Sequence, residues 1–227
     1  MQIQDKTEAV FLSTSATVDE LEVVCRKITA IGIRSLATWP MLLKPAAGFK
    51  AGNDLNLVAV IGFPHGNQVI ESKIAETVLA LVDGADEIAY VAHSMAISNN
   101  DWQYLAKELS TFMQLARKQE KKITVIIDAV NMSAENLIRC CDLFGVAGIN
   151  YLQLGITGSG ELSADTVALV RKHLADAVKL KVAVPVIDPD YILKIIDAGA
   201  NLIHTFNAVE IVKQFESASK GMVFEQN

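Results

Sequence analysis

Seven side chains in this sequence stand where chemistry could be done: Trp39, His65, His93, Asp128, Gln153, Thr157 and Asn207. Each lies at or just past the end of a short apolar run, except Gln153, which sits inside one. A histidine titrates near neutral pH, so it can give or take a proton, and a carboxylate can partner it in general acid–base work. His93 and Asp128 are therefore a candidate catalytic pair. Adding His65 gives three ligands of the kind that hold a divalent cation, although no H-x-H or H-E-x-x-H spacing supports a metal. Gln153 is a polar residue in a run that reads as a buried strand, and a buried amide needs a hydrogen-bond partner. Trp39 offers either a stacking face for a ligand or a cover over a pocket. Thr157-Gly158-Ser159-Gly160 reads as a tight loop or as an anion nest leading into a helix capped by Ser163. Asn207 is a helix cap, with Glu210 three residues on. His204 is either a core or a pocket residue, and His173 belongs on a solvated helix face.

These residues share one site only if the chain folds so that its apolar runs end together. Runs over 8–13, 33–38, 57–63, 86–92, 122–128, the stretch from Gly148 to Leu154, 180–186 and 201–205 alternate with amphipathic helical segments. The runs are apolar on both faces, as parallel strands covered by helices are. Helix starts are marked by the Thr17/Glu20 capping box, by Ser133 and Ser163, and by Asp188 followed by Pro189. A long helix is expected over 99–119 and a weaker one over 40–50. Eight strand–helix units without a linker imply a single α/β domain over 1–227, a (β/α)8 TIM barrel. A doubly wound sheet would want a glycine fingerprint after the first strand, where Ser13-Thr14-Ser15 stands. In a barrel the site lies at the carboxyl ends of the strands, which is where the seven residues fall.

Composition narrows the partners. Hydrophobic residues make up 51% of the chain and charged ones 20%, which excludes a disordered protein. The formal net charge of −6 and the lack of a basic cluster argue against nucleic acid and anionic membrane, leaving a small molecule as the expected ligand. No apolar run approaches the ~20 residues of a membrane span, and the polar start is not a secretory leader. Cys25, Cys140 and Cys141 form no C-x-x-C pair and read as reduced core thiols, so the expected location is cytoplasmic. No cofactor motif is present.

Val60-Ile61-Gly62-Phe63-Pro64-His65-Gly66, then Glu71-Ser72-Lys73, then Gly84-Ala85-Asp86-Glu87-Ile88 resembles the deoxyribose-phosphate aldolase family in order and spacing. Val125-Ile126-Ile127-Asp128, Gly148-Ile149-Asn150-Tyr151 and Asp197-Ala198-Gly199-Ala200 extend the resemblance over most of the chain. It implies a TIM barrel and a carbon–carbon lyase that splits 2-deoxyribose 5-phosphate into glyceraldehyde 3-phosphate and acetaldehyde. It implies a ligand that is a sugar phosphate or another carbonyl metabolite, and pairing as a homodimer.

The resemblance also implies a Schiff-base lysine on the sixth strand, and here the counterpart is Gln153, or Leu154 if the register slips by one. No lysine lies between Lys122 and Lys172. An amide has no amine to condense with a carbonyl. The family's proton-shuttling aspartate on the fourth strand falls on Ala89. Its second lysine, on the seventh strand, falls on Lys181 or on Pro185, four residues apart on the same face and about 13 Å apart in depth. Deep in the barrel, Lys181 would be a replacement nucleophile if its neighbours lowered its pKa. At the bottom, it would reach solvent. The family's phosphate-binding glycines and serines are replaced by Val184-Pro185 or Asp188-Pro189 and by Phe206-Asn207. The expectation is an aldolase-like barrel that has lost the standard activity and keeps a ligand pocket. The alternative is an enzyme with altered chemistry that uses Lys181 or His93 with Asp128.

Overall fold

The computed structural model describes residues 2–50, 52, 54–156 and 160–224, with the backbone alone over 218–224. Eight parallel strands close into a barrel in sequence order, β1 pairing with β8. They are β1 Thr7–Phe11, β2 Ser35–Thr38, β3 Asn56–Ile61, β4 Glu87–Val91, β5 Lys122–Ile127, β6 Tyr151–Leu154, β7 Lys179–Ala183 and β8 Leu202–Thr205. The helices outside are α1 Val18–Ala30, α2 Leu43–Phe49, α3 Ile70–Val82, α4 Ser94–Ser98, α5 Trp102–Lys118, α6 Ala134–Ala147, α7 Ala164–His173, α8 Pro189–Asp197 and α9 Ala208–Phe224. The expected (β/α)8 TIM barrel is the fold. Among the described residues no helix is long and apolar enough to cross a membrane.

Local chemistry explains the boundaries. Thr17 and Glu20 form the full capping box at the start of α1. Ser133, Ser163 and Asp188 cap α6, α7 and α8 through their side-chain oxygens. The helix expected over 99–119 is α5, and the short α4 precedes it. Asn100 takes a left-handed φ of 56°, which ends α4, and Asp101 caps α5 afresh. The strand expected over 180–186 stops at Ala183. Val184 adds one last ladder bond to the carbonyl of His204, and Pro185 has no amide to continue.

Alternating side chains build two cores. Leu36, Ile61, Ile88, Leu152, Val182 and Ile203 point outward and pack under the helices. Val10, Val58, Val60, Ala89, Val91 and Ile126 point inward and fill the carboxyl half of the barrel, with Trp39 and Phe63 packed against them. The amino half is different. Glu8, Glu87, Thr124, Lys181 and His204, none more than 2% exposed, occupy it together.

One turn depends on glycine. Gly66 has a φ of +67°, and a Cβ there would stand 2.3 Å from the carbonyl oxygen of Val91. The Phe63-Pro64-His65-Gly66 turn therefore lies directly on the end of β4, where the chain enters α4.

Candidate functional site

The strand register settles which residues face the barrel axis. Gln153 is 1% exposed and lies between Ile126 of β5 and Lys181 of β7. Leu154 points outward into the helix-side core. The inward position on β6 is thus Gln153, and β6 carries no lysine. The Gln153 Nε2 donates to the carbonyl of Gly155 over 3.4 Å, while its Oε1 is buried without a hydrogen bond. Ala89, on β4, is 2% exposed and part of the inner apolar filling.

Lys181 neither reaches solvent nor stands at the carboxyl mouth. It is 0% exposed in the barrel interior, and its Nζ donates to Glu8 Oε2 at 2.9 Å and Glu87 Oε1 at 2.6 Å. The ammonium lies 4.5 Å from the centroid of the Tyr151 ring. Burial works to lower its pKa, but the two carboxylates outweigh burial and hold it well above the ordinary lysine range. The direction is opposite to the lowering that a neutral, nucleophilic amine requires. Burial likewise works to raise the pKa of Glu8. Lys181 and His204 overcome it and hold the carboxyl well below its ordinary value.

His93 and Asp128 are not joined by a hydrogen bond. The His93 Nδ1 accepts the amide of Ala96 at 3.1 Å, capping α4, and the ring meets Tyr104 edge-on at 4.8 Å. His93 thus caps α4 and packs toward α5. His65 is exposed, and only its backbone carbonyl is engaged, by the amide of Ser94. The described residues contain no group of three side chains able to hold a metal, so the His65, His93 and Asp128 set is not assembled.

Asp128 stands at the end of β5, with one buried oxygen, Oδ1, lacking a hydrogen bond. It lines a cavity of about 380 Å³ at the carboxyl mouth together with Ser94, Asn131, Ser133, Asn136 and Ile156. Among the described residues no lysine or arginine lines this cavity. Trp39 donates its indole N–H to the carbonyl of Ser13 at 3.1 Å and meets Phe63 edge-on at 5.4 Å. Both rings cover the inner apolar filling. Asn207 begins α9 through its backbone, but its side chain does not cap. Its Nδ2 donates to the carbonyl of Pro185 at 3.1 Å and ties the ends of β8 and β7 together. Thr157 lies outside the described residues.

Two charged clusters escaped the reading of the sequence. Glu8 and Glu87 hold Lys181, and Glu8 also meets His204 and accepts the Ser35 hydroxyl at 2.8 Å. Outside the barrel, Lys73 on α3 donates to Glu108 on α5 at 2.7 Å and to the carbonyl of Val91 at 2.8 Å, fully buried. Glu108 in turn accepts the backbone amide of His93. The one signal for Lys73 was its place in Glu71-Ser72-Lys73. The cysteines are free and buried, with burial pushing Cys140 up to about 12 and Cys25 and Cys141 up to about 11, so none is a ready nucleophile.

A closed parallel barrel with its candidate pocket at the carboxyl ends of the strands defines a (β/α)8 TIM-barrel protein. Solved structures agree: an aldolase, QR15, superposes with a TM-score of 0.88 at 21% identity, covering 96% of this chain and 97% of its own. The deoxyribose phosphate aldolase of Aeropyrum pernix, described as a unique tetramer, gives 0.86 at 23% over 95% and 92%. Deoxyribose-phosphate aldolase of Aciduliprofundum boonei is 28% identical over 207 residues, 90% of this chain and 93% of that one. The enzyme of the same name from Brevibacillus brevis is 29% identical over 223 residues, 97% of this chain and 100% of that one. No protein-family model matches. The chain is thus similar over nearly its whole length to deoxyribose-phosphate aldolases.

Proposed function

We propose that this chain is a deoxyribose-phosphate aldolase-like barrel that has given up Schiff-base chemistry and binds a small metabolite at its carboxyl mouth. The observation that carries the reading is the pairing on β6 and β7. Gln153 stands inward where the resemblance puts the nucleophile, and its neighbour Lys181 is an ammonium held between Glu8 and Glu87. A carbinolamine forms only from a free amine, so neither residue can start the reaction. Removing a covalent nucleophile costs on the order of 10⁶-fold in turnover in a well-studied protease. His93 makes no hydrogen bond to Asp128 and its Nδ1 accepts the Ala96 amide, which supports a capping role over altered acid–base chemistry. The cavity beside Asp128 offers a carboxylate, amides and hydroxyls to a ligand, and no cation for a phosphate. A cytoplasmic location and pairing as a homodimer belong to the same reading.

The test is trapping. The protein is incubated with acetaldehyde or with deoxyribose 5-phosphate, reduced with borohydride, and weighed by mass spectrometry. The expected result is the unmodified mass. An adduct on Lys181 would overturn the reading and make that lysine the nucleophile.

A further inference from the structure

The charges of this barrel sit at the wrong end for its family's chemistry. The carboxyl half is filled by apolar side chains, and the buried ions lie in the amino half. Taking ions out of water costs several kcal/mol each, and apolar residues of similar volume often serve stability as well or better. A buried ion network that also opens on a cavity is therefore a candidate site.

That cavity exists. It holds about 360 Å³ at the amino mouth and reaches both Glu8 and Glu87, which are 1% and 2% exposed. Glu8 is fully used: Oε1 meets His204, and Oε2 accepts from Lys181 and Ser35. Glu87 is not. Its Oε1 accepts from Lys181 and from the Thr124 hydroxyl at 2.6 Å, while Oε2 takes no hydrogen bond from any described residue. Two buried carboxylates that line the cavity thus share one lysine ammonium, and the free oxygen belongs to Glu87. Asp5 and Asp54 add two carboxylates to the lining, against Arg34 and Lys122.

We propose that the amino-terminal mouth binds a small organic cation, whose primary ammonium group donates to Glu87 Oε2. A primary ammonium has three N–H donors and a compact charge, which suits a carboxylate oxygen on a nearly buried lining residue. An anion would face both buried carboxylates. A metal ion would lack ligands, since the described residues hold no group of three that could bind one. The ring of Tyr151 is already flanked by Lys179 and Lys181, so recognition rests on the carboxylate and not on the aromatic face.

The experiment titrates the protein with propylammonium and with 1,4-diammoniobutane, using 1-butanol, 1,4-butanediol and acetate as controls. Binding is read by calorimetry and by amide shifts in two-dimensional NMR. Saturable binding of the ammonium compounds alone is expected, with the largest shifts at Asn56, Glu87, Tyr151 and Leu202. Equal binding of the alcohols, binding of acetate, shifts centred elsewhere, or no saturable binding would each overturn the proposal. Glu87→Gln should weaken the ammonium compounds at least tenfold. If that variant fails to fold, Asp54→Lys decides, because Asp54 is exposed at the rim. Reversing its charge should weaken binding by roughly threefold or more. An unchanged affinity for the folded variant would overturn the site.

Discussion

At the scale of the residue, Lys181 decides most about this protein, and its surroundings were hidden from the sequence. Its partners Glu8 and Glu87 lie 173 and 94 positions away. Each looks, read locally, like a polar residue at the start of a strand. Only closure of the barrel brings them together. Removing the ammonium leaves two carboxylates facing one another in the interior, so Lys181→Ala should cost about 3–5 kcal/mol in chemical denaturation. The pH dependence follows from the same cluster. Glu8 has a folded pKa below its ordinary value of 4.5. Its contribution is present above pH 4.5 and is lost as pH falls toward the folded value. Lys181 has a folded pKa above its ordinary value of 10.5, so its contribution is full below pH 10.5 and fades only as pH rises beyond it. Scanning calorimetry should show stability falling below pH 4.5, and Glu8→Gln should flatten that acid limb while lowering stability at neutral pH. An unchanged acid limb in the variant would break the link between Glu8 and Lys181.

At the scale of the element, the strands, their order and most helix caps were legible, because apolar runs and Ser, Thr or Asp caps act locally. The short α4 ahead of α5 was not, since its separation turns on the backbone of Asn100. The side of the barrel that each residue faces was also partly open: Gln153 and Leu154 differ by one position, and pairing with Lys181 on β7 chooses between them. That choice gives an element-level prediction. Gln153→Lys with Ala89→Asp would place an amine beside Lys181 and a carboxyl on β4, both facing inward. Two lysines side by side disfavour the charged state of each, which lowers the amine's pKa toward reactivity. The double variant should gain a borohydride-trapped acetaldehyde adduct at position 153 that the parent lacks. No adduct in a folded variant would mean that the apolar filling, and not the missing lysine alone, blocks the chemistry. The turn at Gly66 makes a second such test. Gly66→Ala forces a Cβ to within 2.3 Å of the Val91 carbonyl at a positive φ. It should cost on the order of 1–3 kcal/mol, read as a lowered melting temperature.

At the scale of the whole molecule, the family resemblance and the interior polarity point to different ends of the barrel. The resemblance rests on turns and strand edges that shape any member of the fold: the glycine turn on β4, the buried Lys73 on α3, the Gly-Ala-Asp-Glu strand. The chemistry rests on inward side chains, and in the carboxyl half these are Val, Ile, Leu and Ala apart from Gln153. A phosphate needs cations or free amides, and among the described residues neither lysine nor arginine lines the cavity beside Asp128. Asp128 itself repels an anion, and its buried oxygen wants a donor that a hydroxyl can bring. Ligands for this mouth should therefore be uncharged and hydroxylated. A ligand at a hundred times its dissociation constant adds about 2.7 kcal/mol to stability. At about 2–4 °C per kcal/mol for a chain of this size, the melting temperature should rise by about 5–10 °C. Deoxyribose and small polyols, at concentrations high enough to saturate, should produce a rise that their 5-phosphates do not. Asn136→Leu, which removes one hydrogen-bonding wall of the cavity, should abolish it. A larger shift with the phosphate than with the free sugar would place an anion site at the carboxyl mouth and overturn the assignment of a neutral ligand.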